Sequence, residues 1–216
     1  MKTTLRAIGT VMIMLGCMTG PALATPLPDP AFDEKGDAGE EKIVLAGGCF
    51  WGMEAVFLHL KGVKNVVSGY AGGAAETATY EQVSGGSTGH AEAVEVMYDP
   101  SQITLGQILK VYFSVAHNPT ELNRQGPDTG TQYRSAIFYA TPDQKNIASR
   151  YMAQLNTERV FDKKIETTLE PLKKFYAAEP YHQNYVAFHP DNLYVTIHDL
   201  PKLQALKDAF PNLYVK

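Results

Sequence analysis

Hydrophobic periodicity changes at a pair of glycines near the start of the chain. Lys42-Ile43-Val44-Leu45-Ala46 is a short, almost continuous apolar run of strand length that ends on Gly47-Gly48. Beyond it, Phe50, Met53, Val56, Phe57 and Leu60 recur at helical spacing, which predicts a helix over 50–60. A second amphipathic helix is predicted over 104–117, with Leu105, Ile108, Leu109, Tyr112 and Ala116 on one stripe and a Thr104…Gln107 capping box at its start. A third covers 141–160, where Thr141 caps, Pro142 suits the first helical position and Gln144 completes the box. Further strands are read at 63–69, 91–98, 135–140 and 165–171. Together these elements predict an α+β fold, a two-layer sandwich in which helices cover a mostly antiparallel sheet. Near the end, Leu200, Leu203, Leu206 and Phe210 are spaced as a packed helix.

The flanks of this pattern bound the domain. Residues 1–24 read as a signal peptide: Lys2 and Arg6 precede an apolar stretch over 7–15, and Ala22-Leu23-Ala24 offers a small-residue cleavage site. Export, to a periplasm, is expected. The apolar stretch is shorter than the about 20 residues a membrane span needs, and no later segment approaches that length. Leu15-Gly16-Cys17 resembles an acylation site, which makes a lipid anchor through Cys17 a minor alternative. Residues 25–41, rich in Pro, Gly and acidic side chains, read as a flexible leader. Residues 42–216 read as a single catalytic domain without internal repeats.

Loss of the signal peptide changes the cysteine and charge balance. It removes Cys17, leaving Cys49 alone of the 2 cysteines, so no intramolecular disulfide is expected. Lys2 and Arg6 leave with it, taking the formal net charge from −4 to −6. With no basic stripe along the chain, nucleic acid is not expected as a partner.

Cys49 falls at the predicted strand-to-helix junction, in Gly47-Gly48-Cys49-Phe50-Trp51-Gly52 beside the only tryptophan. A thiol at a helix start faces unpaired N–H groups and the positive end of the dipole, which can bring a cysteine pKa from about 8.5 into the range of roughly 3.5 to 7.5. Phe50 and Trp51 offer an apolar wall. The bland alternative is a buried free cysteine that packs as a small hydrophobe.

A second chemical signal lies on the predicted strand 91–98. Glu92 shares a face with Val94 and Val96, so burial is expected to raise its pKa and keep it a proton donor. An ionised carboxylate at the strand mouth is the competing reading. Asp128 and Tyr133 sit in a polar loop, Pro127 to Ser135, within an irregular stretch beginning at Asn118. Asp128 could anchor that loop through local backbone hydrogen bonds, and Tyr133 brings a hydroxyl on an apolar body. Tyr80 precedes a short helical stretch among several glycines. Gly47-x4-Gly52 lacks the Lys of a phosphate-binding loop, and His90-Ala91-Glu92 lacks the cysteine pair of a zinc deaminase. His182, His189 and His198 show no metal spacing and lie among surface-like residues, and no metal site is expected. A cysteine hydrolase using His182 and Asn192 stays open on spacing alone, as does a binding protein in which Cys49 merely packs.

Taken in order, Gly47-Cys49-Phe50-Trp51-Gly52, Gly89-His90-Ala91-Glu92-Ala93-Val94, Asp128-x-Gly130-x-Gln132-Tyr133-Arg134-Ser135 and Tyr181-His182-Gln183 resemble the peptide methionine sulfoxide reductase A family. The resemblance runs from about Ile43 to Tyr185. It implies a ferredoxin-like core and thiol-dependent reduction of the S-epimer of methionine sulfoxide, free or in proteins, without a bound metal or organic cofactor. By the same resemblance Cys49 is the nucleophile and passes through a sulfenic acid. Glu92 protonates the departing oxygen, and Tyr80 and Tyr133 hydrogen-bond it. Phe50 and Trp51 hold the substrate methyl, with Asp128 supporting the pocket. Many relatives carry resolving cysteines in a Gly-rich tail. Here 191–216 contains none, so a one-cysteine variant is expected, regenerated by an external thiol, either a thioredoxin-like protein or a small thiol.

Overall fold

The computed structural model describes residues 27–216, so the signal peptide, Cys17 and the acylation reading lie outside the described residues. In chain order the elements are β1 (Glu41–Gly47), α1 (Phe50–Leu58), β2 (Val63–Ala71), α2 (Tyr80–Val83), β3 (Ala91–Tyr98), α3 (Leu105–Val111) and the short hairpin strands β4 (Arg124–Gln125) and β5 (Asp128–Thr129). They continue with β6 (Ser135–Tyr139), α4 (Pro142–Thr157), β7 (Thr168–Pro171), β8 (Phe175–Ala177), α5 (Tyr185–Phe188) and α6 (Leu200–Ala209).

Six strands form one sheet in the order β7-β6-β1-β3-β2-β8. Its pairings are antiparallel except for β6 with β7, where Ala136 lies opposite Thr168 in a parallel ladder. The fold is therefore α+β with a mixed, not plainly antiparallel, sheet. Connectivity explains the departure: α4 carries the chain back along β6, so β7 enters in the same direction, as a helical crossover requires.

Side-chain alternation sets the two faces. Ile43, Leu45, Val66, Val94, Val96 and Ile137 join Met53, Val56 and Phe57 of α1, Ile108 and Leu109 of α3 and Tyr151 and Leu155 of α4 in the main core. On the opposite face Val44, Ala46, Ala71, Ala91, Ala93, Ala136 and Phe138 form a thinner layer against Leu172 and Phe175. β1 is thus apolar on both faces, which is why its run reads as continuous. Burial of each large aliphatic or aromatic side chain here contributes about 1.5–3 kcal/mol relative to exposure.

Capping follows the sequence only in part. At α3 the reciprocal box is complete: the Gln107 N–H donates to Thr104 Oγ1 and the Thr104 N–H donates to Gln107 Oε1. At α4 only Thr141 does its share. Gln144 Oε1 accepts from the Ala140 N–H at 2.8 Å, and its Nε2 donates to the Lys42 carbonyl, tying the helix start to β1. The helix predicted over 104–117 closes with a π-helical turn over Tyr112–Ala116. The segment read as a flexible leader lies along α3 and α4 without regular structure: Asp33 accepts from Thr104 and from the Gly106 N–H, and the Tyr151 hydroxyl donates to the Pro28 carbonyl.

Candidate active site

Cys49 is the N-cap residue of α1, and the backbone reaches it through Gly48 at φ +93°, a conformation that favours glycine. The next N–H along, that of Phe50, donates to Glu92 Oε2 at 3.1 Å. One hydrogen bond thereby joins the start of α1 to the start of β3. Glu92 lies on the core face with Val94 and Val96, as the strand period requires, and only 2 % of its surface is exposed.

A pocket of about 320 Å³ opens at this junction, lined by Cys49, Phe50, Trp51, Tyr80, Glu92, Asp128, Tyr133, Asn192 and Tyr194. All seven residues singled out from the sequence converge here. No histidine is among the lining residues, and the Nδ1 of the neighbouring His182 is engaged by the Trp51 indole.

Each wall has its own support. Trp51 stacks on Tyr185 with ring centroids 3.7 Å apart, meets Tyr194 edge-on, and donates its indole N–H to His182 Nδ1 at 3.1 Å. Phe50 packs against His182 and Tyr70. His182 is buried, in contrast to the surface position read from its neighbours, because it caps this aromatic cluster. Its Nδ1 must be unprotonated to accept from the indole, and burial holds its pKa below the ordinary value. Asp128 does not anchor its own loop. It accepts instead from the Tyr194 hydroxyl, fastening the β4–β5 hairpin to the C-terminal segment.

Electrostatics confirm one expectation for the site and overturn another. Burial pushes the Glu92 carboxyl up to about 8, outweighing the Phe50 N–H that favours its anion, so it is protonated at neutral pH. The Cys49 thiol, expected to be acidified by its helix, is instead raised well above its ordinary value. The cause is burial first, at 9 % exposure, then the charges of Glu92 and Asp199; a backbone N–H and Lys202 act in the opposite sense. Desolvation wins over the helix end because the sulfur is covered by its pocket walls. Burial likewise raises Tyr80 and Tyr133, which keep their hydroxyl protons.

Sequence reading missed Tyr194, Asp199 and Lys202, and named Asn192 only as the partner of His182 in a hydrolase. Asp199 is fully buried and bridges to Lys202 at 3.4 Å, and a side chain at Gly52 would collide with both. A buried Asp at the edge of an apolar helix pattern, three residues before a Lys, was the available signal. Its proximity to Cys49 depends on the chain folding back and leaves no local trace.

A buried thiol, a protonated carboxyl and two protonated phenols facing an aromatic-walled pocket define a thiol-based oxidoreductase site. Residues 41–213 match the family Peptide methionine sulfoxide reductase, and the chain belongs to that family. It is 55 % identical over 182 residues to "Peptide methionine sulfoxide reductase MsrA 2" of Mesorhizobium japonicum, covering 84 % of this chain and 93 % of that protein. A protein of the same description from Synechocystis is 50 % identical, covering 85 % and 88 %. Among solved structures, reduced Mxr1 from Saccharomyces cerevisiae superposes with a TM-score of 0.64 at 35 % identity, over 75 % of this chain and 92 % of that one. Methionine sulfoxide reductase A of Corynebacterium diphtheriae gives 0.60 at 37 % identity, over 79 % and 86 %.

Proposed function

We propose that this protein reduces methionine-S-sulfoxide, free or in proteins, to methionine at the expense of thiols. The observation that carries this reading is the buried Glu92 carboxyl held at the start of α1, next to Cys49, by the Phe50 N–H, where burial favours its protonated form. A sulfoxide is an unusual electrophile: its sulfur accepts a nucleophile only as its oxygen is protonated. Cys49 attacks that sulfur while Glu92 gives its proton to the oxygen and regains the one Cys49 loses. The substrate sulfur gains two electrons, Cys49 loses two, and the oxygen passes to Cys49 as a sulfenic acid. Tyr80 and Tyr133 donate hydrogen bonds to the oxygen. Phe50 and Trp51 enclose the methyl group, and Asp128 supports the wall through Tyr194.

The high pKa of the thiol suits this sequence of events. Cys49 stays a thiol in the empty pocket and gives up its proton only when a substrate oxygen is there to receive one from Glu92.

Cys49 is the free cysteine among the described residues, and the only other cysteine of the sequence is Cys17. The sulfenic acid is then taken by an external thiol, giving a mixed disulfide and water, and a second thiol releases Cys49. A thioredoxin-like protein or a small thiol serves, and no bound cofactor takes part. The finer readings of architecture and location belong with this proposal: a ferredoxin-like core, supported by the order β6-β1-β3-β2, and export through residues 1–24 ahead of a leader and one catalytic domain.

Incubation of the purified protein with methionine-S-sulfoxide, its R-epimer and dithiothreitol tests the reading. Methionine is expected from the S-epimer alone. No methionine from either epimer would contradict it.

A further inference from the structure

The pocket depends on a residue outside it. Tyr80 begins α2, a single turn inside the long connection between β2 and β3, and a segment of that kind has little packing of its own to fix a side chain. Two ties hold it. At its far end the Gln132 side chain donates to the Ser84 carbonyl at 3.0 Å and the Thr131 hydroxyl to the Gly86 carbonyl at 3.0 Å, linking it to the turn that carries Tyr133. At the near end the Tyr80 N–H donates to Glu179 Oε1 at 2.9 Å.

Glu179 is itself immobilised. Its Oε2 accepts from the hydroxyl of Tyr70, a fully buried β2 residue, at 2.8 Å, and the Ala178 N–H beside it donates to the Ser68 carbonyl. Backbone and side chain are thus both anchored to β2. His182, three residues on, accepts from the Trp51 indole and packs against the Tyr80 ring at a tilt, with centroids 4.4 Å apart. One short turn therefore touches the tyrosine wall and the tryptophan wall of the same pocket.

We propose that Glu179 is a positioning residue of the reductase reaction, holding the Tyr80 hydroxyl where the sulfoxide oxygen is protonated. The inference rests on the function proposed above. Glu179 does not line the pocket; it acts through the Tyr80 backbone. A charged acceptor on a backbone N–H is among the stronger protein hydrogen bonds, and losing it frees the first residue of α2. Displacements near 1 Å at a reacting centre cost on the order of a hundredfold in rate, so the effect belongs in kcat more than in KM.

The test is a double-mutant cycle with Glu179→Ala, Tyr80→Phe and the pair, alongside Glu179→Gln. Glu179→Ala is expected to lower kcat roughly ten- to a hundredfold with KM little changed, and to have almost no further effect in the Tyr80→Phe protein. Glu179→Gln keeps an acceptor for the Tyr80 N–H and should retain most of kcat. Amide exchange at Tyr80, read by NMR, should accelerate in Glu179→Ala and not in Glu179→Gln. Additive losses in the cycle, or unchanged exchange at Tyr80, would overturn the proposal. Should the unmodified protein reduce no sulfoxide, the proposed function falls, and the exchange rates still decide whether Glu179 pins Tyr80.

Discussion

The Phe50 N–H donates to Glu92 Oε2 at 3.1 Å, so the residue after the thiol holds the buried carboxyl of the same pocket. Glu92 and Phe50 are far apart in sequence, yet this bond fixes the carboxyl beside the helix start that carries Cys49, where the proposed proton transfer needs it.

That arrangement predicts a pH dependence. Glu92 is raised from 4.5 to about 8, and as a general acid it must be protonated, so kcat/KM should fall as pH rises through about 8. Glu92→Gln should lower kcat about 10²- to 10⁴-fold and remove that limb of the profile. Stability follows the same carboxyl. The native state binds this proton more tightly than the unfolded chain, so stability present below about 4.5 is lost as pH rises to about 8. Glu54, buried and raised to about 7, has the same sign, so Glu92→Gln should reduce the slope of denaturation free energy against pH without abolishing it.

Charges behind α1 should move the acidity of Cys49 in opposite directions. Lys202 lowers the thiol pKa and Asp199 raises it. Lys202→Met is therefore expected to shift the pH profile of Cys49 alkylation by iodoacetamide upward, and Asp199→Asn to shift it downward. Coincident profiles would exclude the pair as an influence on the sulfur.

Gly52 presents a contest between helix propensity and space. Alanine in a helix interior gains about 0.8–1.0 kcal/mol over glycine. Here its Cβ would meet buried Asp199 and approach Lys202 Nζ to 2.8 Å, and overpacking of this kind costs about 1–3 kcal/mol. Gly52→Ala should therefore destabilise the protein by up to about 2 kcal/mol net, read from the midpoint of denaturant unfolding.

Tyr194→Phe removes the hydroxyl that holds Asp128. Hydrogen bonds to charged groups contribute about 1.5–3 kcal/mol, and this one fastens the β4–β5 hairpin over the pocket. A several-fold rise in KM is expected, with a smaller change in kcat. Fluorescence of Trp51, the only tryptophan, should report the loosened wall, since Tyr194 meets its ring edge-on.

How much of this was written locally differs from residue to residue. The strand-to-helix break at Gly47-Gly48, the burial of Glu92 beside Val94 and Val96, and the α3 capping box follow from short-range periodicity and turn chemistry, so they could be read directly. The acidity of Cys49 could not, because the helix end is local while the desolvation that overrides it comes from pocket walls drawn from five parts of the chain. His182 was read as a surface or hydrogen-bonding residue; it is the latter, bonded to the Trp51 indole, and its burial was not legible because its sequence neighbours Tyr181 and Gln183 are polar or exposed while its spatial neighbours are Phe50, Trp51 and Tyr80. The parallel β6–β7 ladder depends on the path of α4, which periodicity does not specify.

The central claim, that Cys49 alone takes the oxygen from the substrate, is tested most directly by a single turnover without added thiol. Reduced protein is mixed with methionine-S-sulfoxide, and methionine and the protein mass are quantified with and without a sulfenic acid trap. One methionine per Cys49 is expected, with the trap on Cys49 and no disulfide within the chain. Methionine formed by a Cys49→Ser protein, or an intrachain disulfide at Cys49 after turnover, would contradict the account.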